Sequence, residues 1–173
     1  MLKGGDILKF NKLMKSYLNE INTNGNLIKE YNISDIFERI VPEVIEWDSC
    51  VLIKNIESTD LPDYFSPNRF IKNRTELEII HNHFHLDQYT NKECSPLQLL
   101  SKGIQIMKKI ESVLKEQFPR LSFYLAMSFD KNDLDCTIRF HTIRENEECW
   151  LDEDLESYRE AILVYIVSKV ELG

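Results

Sequence analysis

Two stretches of this sequence alternate between apolar and other side chains with a period of two. They are Leu121–Phe129, whose odd-numbered positions are all apolar, and Cys136–Ile143, which follows the polar turn Asp130–Asp135. Such alternation is typical of strands with one buried face, and a short polar turn between them predicts an antiparallel hairpin. The face of the return strand that points away from the core is then predicted to carry Thr137, Arg139 and His141.

A long amphipathic helix is predicted just before this hairpin. Ser95 is a favourable N-cap residue, and Pro96 suits the first helical turn because its missing N–H would be unpaired there. Apolar residues then recur every three or four positions to about Gln117, and Pro119 ends the helix.

Three other stretches have the apolar spacing of a helix. The first two are Ile7–Ile21 and Leu27–Ile40, the second ending before Pro42. The third starts near Asp152 and is expected to turn apolar residues as far as Val167 towards the core.

The middle of the chain is less regular. Cys50–Ile56 is rich in strand-forming residues, and Glu57–Arg74 is interrupted by proline and asparagine, which predicts a long surface loop with a short strand at Arg69–Lys72. The next stretch, Leu77–Tyr89, is interpreted as a strand. Because alternate residues of a strand share a face, one face would carry His81, His83 and His85.

Together these elements predict the order α-(α)-β-(β)-β-α-β-β-α. Short connections and a hairpin favour an antiparallel sheet of about four to five strands, with helices packed mainly on one face. The expected fold class is therefore α+β, in a single domain that covers residues 1–173.

Charge narrows the class of partner. The chain carries a net charge of −8, and most of it falls within the acidic segment, residues 144–160, which has eight acids and two arginines. This charge disfavours nucleic-acid binding, which needs a basic surface, and favours a basic protein partner. No apolar stretch is long enough for a membrane span, and the first residues do not resemble a secretion signal, so a cytoplasmic location is expected.

The acidic segment has two interpretations. Acids near a helix N-terminus stabilise the helix, which would explain Asp152, Glu153 and Asp154 without any partner. Alternatively, the segment is a contact surface with Trp150 as its aromatic anchor. The predicted partner-binding residues are Glu145, Glu147, Glu148, Trp150, Asp152 and Asp154.

The histidine stretch admits a metal site. The sequence His83-Phe-His85-Leu-Asp87-Gln88 resembles the HxHxDH motif of the metallo-β-lactamase superfamily, a group of binuclear metal hydrolases, with Gln88 in place of the last histidine. The resemblance implies that His83 and His85 bind one ion and Asp87 a second. A bound ion would lower the pKa of water and supply hydroxide near neutral pH.

A mononuclear site is the second interpretation of these residues. His83, one neighbouring histidine and His141 would bind zinc or another divalent transition metal if the return strand lies beside the histidine strand. The third interpretation is that the histidines are polar residues on the solvent face of a half-covered sheet.

The layout of residues 33–143 resembles the small acidic immunity proteins that neutralise LXG-type polymorphic toxins of Gram-positive bacteria. The shared features are a helix that ends at Ile40-Val-Pro-Glu43, Trp47 before the strand Val51–Ile56, and a central helix followed by a hairpin. The resemblance implies a cytoplasmic protein without catalytic activity that masks the active site of a cognate toxin.

The first hypothesis is therefore a non-enzymatic, immunity-like or antitoxin-like inhibitor of a basic protein partner, a toxin domain being one candidate, with no cofactor. The alternative is a metal-dependent hydrolase that uses His83, His85, Asp87 and His141.

Overall fold

The computed structural model describes residues 6–23, 31–54, 61–91 and 93–170. Four helices and seven strands lie in these ranges. The helices are α1 (Lys12–Thr23), α2 (Ser34–Ile40), α3 (Arg74–His81) and α4 (Pro96–Gln117). The strands are β1 (Ile7–Phe10), β2 (Val44–Trp47), β3 (Cys50–Ile53), β4 (His83–His85), β5 (Phe123–Asp130), β6 (Asp135–Thr142) and β7 (Ala161–Val167).

The main sheet has five antiparallel strands in the order β1-β7-β5-β6-β4, and β2 and β3 form a separate two-stranded sheet. This architecture confirms the predicted α+β class with an antiparallel sheet. The register places His85 beside Thr137 on β6, and Tyr124 between His141 and Ile166. Side chains from distant parts of the sequence therefore meet on one face of the sheet.

The predicted hairpin and the helix before it are both confirmed. Strands β5 and β6 pair along their whole length, from Phe123 with Thr142 to Asp130 with Asp135. Helix α4 begins with a capping box, in which the Gln98 amide donates to the Ser95 hydroxyl at 3.3 Å and the Ser95 amide donates to the Gln98 side chain at 2.9 Å. Two N–H groups that the helix cannot satisfy itself are paired in this way.

The prediction of a helix over Ile7–Ile21 is wrong at its start. The first residues form β1 at the edge of the sheet, and α1 begins only after Asn11. The Asn11 side chain is buried and accepts from the Met14 amide at 3.0 Å, which caps α1. It also accepts from the Ile162 amide at 3.1 Å, which ties the start of the helix to the neighbouring strand β7. An asparagine N-cap separates strand from helix here, although the apolar residues run through both.

The predicted last helix is a strand, β7. Its sequence is a continuous apolar run because it lies between β1 and β5 and is buried on both faces. Centrally placed strands lose the alternating pattern for this reason, and a short apolar run does not by itself distinguish strand from helix. The acids before it lie in a connection that includes one 3-10 turn, Leu155–Ser157.

The predicted strand Leu77–Tyr89 is also wrong over most of its length. Helix α3 begins after Asn73, which accepts from the Glu76 amide at 2.8 Å, and a short strand follows at β4. The buried residues of α3 and of its C-cap recur at helical spacing, but most of them are polar: Thr75, Glu78, Ile79 and Asn82. A search for apolar periodicity misses a helix of this kind.

The remaining predictions are corrected in detail. The predicted Leu27–Ile40 helix is shorter in the described part of the chain, where α2 starts at Ser34, and positions 27–30 lie outside the described residues. The strand predicted over Cys50–Ile56 ends at Ile53, before undescribed positions, and is preceded by an unpredicted strand, β2. Residues 61–73 form a loop without the strand expected at Arg69–Lys72.

Helices cover one face of the main sheet, and the acidic segment covers the other. Helices α1 and α4 cover one face, and the side chains there form the larger core, including Leu125, Phe140 and Leu163. The acidic segment covers the other face, which we call the outer face. Thr137 and His141 are only 4% and 3% exposed, because Thr137 lies against His85 and Asp135 and the His141 ring stacks on Tyr124.

Candidate functional site

The acidic segment connects β6 to β7 across the outer face of the sheet. Leu151 and Leu155 anchor it, packing with Tyr124, Ala126 and Val164 of the sheet. Most of its acidic side chains are exposed. The exposed acids are Glu145, Glu148, Asp152, Glu153, Asp154, Glu156 and Glu160.

A groove of about 600 Å³ lies between the acidic segment and the sheet. Buried or half-buried side chains form its floor: Tyr124, Ile143, Leu151, Leu155 and Ile166. Exposed carboxylates line its mouth, contributed by Glu148, Asp152 and Glu153. Cys149 and Lys9, the latter from β1, complete the lining. The groove therefore combines an apolar base with a negative rim.

The phenol and the thiol in the groove are neutral near pH 7. Burial raises the pKa of the Tyr124 phenol to about 12, with smaller contributions from Cys149 and Tyr158. Burial also raises the pKa of the Cys149 thiol, against a smaller lowering by Lys9. The protonated thiol is a poor nucleophile, because the thiolate is the reactive form. The negative charge of the groove thus comes from its carboxylates.

Some of the predicted partner-binding residues have structural contacts. The Glu147 carboxylate accepts from the Thr75 amide at 2.8 Å and lies 3.9 Å from Arg144. Asp154 accepts from the Glu156 amide at 3.1 Å and so caps a 3-10 turn. These two acids help to fold the segment, although Asp154 is exposed like Glu145, Glu148 and Asp152.

Trp150 lies over another side chain of the outer face. The Arg139 guanidinium is 4.3 Å from the centroid of the Trp150 ring, a cation–π contact, and the tryptophan remains 36% exposed. The ring is therefore held in place and still presents one part to solvent. Both properties suit an interface anchor, because a fixed aromatic side chain loses little entropy on binding.

A buried ion pair fixes the start of the acidic segment. Both Arg144 terminal nitrogens donate to the Glu78 carboxylate, at 2.9 and 3.0 Å, and the Glu78 side chain is fully buried. The same carboxylate accepts from the backbone amides of Val51 at 2.7 Å and Thr142 at 2.6 Å. Glu78 therefore joins α3, β3, β6 and the acidic segment at one point.

The structure removes His81 from the group of histidines that the sequence analysis placed on one strand, and keeps His83 and His85 together, with ring centroids 5.5 Å apart. His81 ends α3, and its Nε2 contacts the Ile53 carbonyl at 2.8 Å, whereas His83 and His85 lie on β4. The Nδ1 atom of His83 contacts the Ile80 carbonyl at 3.1 Å. Since a carbonyl oxygen only accepts, the proton of each of these two rings lies on the nitrogen that makes the contact.

His85 also belongs to a cluster with Asp87 and Asp135. Its Nδ1 lies 3.0 Å from Asp135 Oδ1 and 3.0 Å from the Thr137 hydroxyl, and Asp87 is close by. One side-chain donor atom from each of His85, Asp87 and Asp135 lies within 4.8 Å of the others. Of the predicted metal residues, the structure thus brings His85 and Asp87 together; within the described ranges, this cluster contains neither His83 nor His141 and adds Asp135.

His141 is buried under the acidic segment. Its ring stacks on Tyr124, with centroids 5.4 Å apart, and its Nδ1 contacts the Thr142 carbonyl at 3.0 Å. Its Nε2 is buried without a hydrogen-bond partner. Burial lowers the pKa of this imidazole, partly offset by the Thr142 carbonyl and Glu78.

We expect His141 to make stability fall in mild acid. The folded-state pKa is below that of an unfolded histidine, about 6.5, so the unfolded chain takes up a proton first. This contribution is fully present above that pH and declines as the pH falls towards the folded-state value. Urea unfolding of wild type and His141→Phe between pH 7.5 and 5 should show a smaller pH dependence in the variant. Equal slopes would contradict this assignment.

The fold and the groove describe an α+β domain with an acidic surface over one face of its main sheet. The chain belongs to the Uncharacterized protein PM0498 family, whose pattern it matches over residues 9–171. No curated protein and no solved structure shows significant similarity to it. Among the residues described, no helix is both long and apolar enough to cross a membrane.

Sequence reasoning missed several residues of these sites. Lys9, Tyr124 and Cys149 of the groove come from three separate stretches and have no shared motif. Asp135 had a detectable signal, since the sequence analysis places it at the end of the turn, next to a strand that the mononuclear interpretation requires to lie beside the histidine strand.

Proposed function

We propose that this protein is a non-enzymatic binding protein whose acidic segment and groove receive a basic partner protein. The groove carries the proposal, because its apolar floor and carboxylate rim match the aliphatic stem and cationic head of lysine or arginine. In its most specific form, the protein is a cytoplasmic immunity-like inhibitor that masks a toxin domain, as the resemblance to LXG-type immunity proteins implies.

The acidic segment is rigid enough to act as a preformed surface. Arg144 holds its start through Glu78. Asn11 holds its end, donating to the carbonyls of Leu155 at 3.3 Å and Glu160 at 2.8 Å. A surface that is already ordered loses less conformational entropy on binding, so more of the contact energy contributes to affinity.

The charge distribution favours rapid capture of a cationic partner. The exposed carboxylates are concentrated in one segment, and the chain as a whole is at −8. Such a surface raises the association rate with a basic protein, and added salt weakens the effect. Binding should therefore slow as ionic strength rises.

The test is a reversal of the rim charges. In the variant Glu148→Lys/Asp152→Lys/Glu153→Lys we expect the partner's affinity to fall at least about tenfold, mostly through slower association. The matched control is Glu38→Lys/Glu46→Lys/Glu116→Lys, which changes exposed acids on α2, β2 and α4 and gives the same net charge. Tagged forms of all three proteins would be used to recover partners from producing cells.

The proposal expects a basic protein that wild type and control retain and the rim variant loses, followed by the same ranking in purified binding measurements. The immunity form further expects that the recovered protein arrests growth when produced alone and not when produced with wild type. Recovery of the same proteins by all three forms would overturn the assignment of this surface.

A further inference from the structure

We propose that His85, Asp87 and Asp135 form a binding site for one divalent transition metal ion at the edge of the main sheet. The cluster is separate from the groove, and the inference does not depend on the proposed function. An imidazole nitrogen with two carboxylate oxygens is a ligand set typical of zinc and of manganese or ferrous iron.

The backbone fixes all three ligands. His85 lies on β4 and pairs with Thr137 of β6, while Asp135 is the first residue of β6 and pairs with Asp130. Asp87 follows Leu86, which is fully buried, in the 3-10 turn after β4. Ligands on paired strands and on a turn anchored by a buried leucine keep their spacing without a partner, which favours a preformed site.

The spacing suits one ion after a small movement. Tetrahedral zinc with ligands at about 2.0–2.2 Å places two donor atoms about 3.4 Å apart. His85 Nδ1 and Asp135 Oδ1 are already 3.0 Å apart, and all three donor atoms lie within 4.8 Å of one another. Since no two of these donor atoms are more than 4.8 Å apart, a movement of the Asp87 carboxylate by about 1.5 Å or less would bring the set to the geometry of that ion.

Asp87 supplies a separate indication that a ligand is needed. Its Oδ1 atom is buried and has no hydrogen-bond partner. Neither Asp87 nor Asp135 pairs with a lysine or arginine within the described ranges. A buried carboxylate oxygen without a donor is costly, and a metal ion would satisfy it.

The surroundings complete the site. A cavity of about 300 Å³ opens beside Asp87 and is also lined by Cys94 and Asp133. Asp87 is the proposed ligand that lines this cavity, so water can reach the site from its side. The Thr137 hydroxyl lies 3.2 Å from Asp135 Oδ1 and can donate to this carboxylate, which would orient it as outer-shell groups do in metal sites.

The experiment is a titration of metal-free protein with Zn²⁺ by calorimetry, repeated with Co²⁺ while its visible absorption is recorded. Wild type is expected to bind one ion, and Asp87→Asn and Asp135→Asn should bind at least about tenfold more weakly, since even outer-shell changes cost that much. The matched control is Asp133→Asn, which makes the same chemical change in the lining of the same cavity and should bind like wild type.

A further variant, His83→Ala, tests the ligand set itself. It should retain most of the affinity, because the His83 ring only packs against the His85 ring, with centroids 5.5 Å apart, and supplies no donor atom to the cluster. The thermal unfolding of each metal-free variant is first measured in the presence of a chelator. Binding is then compared for the ligand variants that unfold at the same temperature as wild type, so that a loss of affinity is not a loss of folding. The assignment is overturned if wild type shows no saturable binding, if both ligand variants bind like the control, or if His83→Ala loses as much affinity as they do.

Discussion

Replacement of Arg144 by methionine is expected to lower the free energy of unfolding by about 3–5 kcal/mol, the usual cost of removing one partner from a buried ion pair. The variant would leave the Glu78 carboxylate, whose side chain is fully buried, without its counter-charge. It would also remove the donors to the Thr75 hydroxyl and the Ser49 carbonyl. Urea unfolding followed by circular dichroism at pH 7 measures the loss.

The matched control for this prediction is Arg159→Met. Arg159 is exposed on the same segment, so its replacement is expected to change the free energy of unfolding by less than about 0.5 kcal/mol. Equal losses in the two variants would show that the Arg144–Glu78 pair does not hold the segment. A large loss in Arg144→Met alone would confirm that a charge pair under the segment sets its position.

Replacement of Asn82 by leucine is expected to cost about 3 kcal/mol or more, because several buried backbone groups lose their partner at about 1–3 kcal/mol each. Asn82 accepts from the Ile53 amide at 2.9 Å and donates to the carbonyls of Val51 at 2.7 Å and Phe140 at 3.3 Å. Leucine has a similar volume but none of these donors or acceptors. Urea unfolding gives the total loss.

Amide hydrogen exchange can locate this effect. The Ile53 amide should lose protection in Asn82→Leu, while the Val51 amide, which donates to Glu78, should keep more of it. Asn146→Leu, at an exposed position of the acidic segment, is the control and should leave both amides protected. Unchanged protection at Ile53 in Asn82→Leu would mean that the side chain of Asn82 does not hold β3.

Glu78 and Asn82 also explain which part of the fold the sequence could predict. The β5–β6 hairpin and α4 were predicted because their buried faces are apolar and their boundaries carry ordinary turn and capping residues. Helix α3 was missed because its inward face carries Glu78 and Asn82, which satisfy backbone groups of β3 and β6. Periodicity detects apolar burial only, and this helix is held largely by polar contacts.

The candidate sites also have one part that the sequence predicts and another that depends on the fold. The acidic segment was visible as a charge pattern, and its exposed carboxylates lie where a partner can reach them. The groove is not visible in the sequence, because it needs the outer face of β5 and β7 under the segment, and the apolar spacing predicts a helix where β7 lies. Asp135 was missed because its proximity to His85 depends on the register of β4 against β6.

The position of β7 also determines when this sheet can assemble. Of the strands described, β7 is the last along the chain, yet it lies between β1 and β5 and pairs Ile7 with Ile166. During synthesis, therefore, β1 has no partner and one edge of β5 stays open until residues 161–167 have left the ribosome. Contacts this distant in sequence also slow folding. The sheet can therefore be completed only after β7 has been synthesised, and the open edge is exposed to other chains in the meantime.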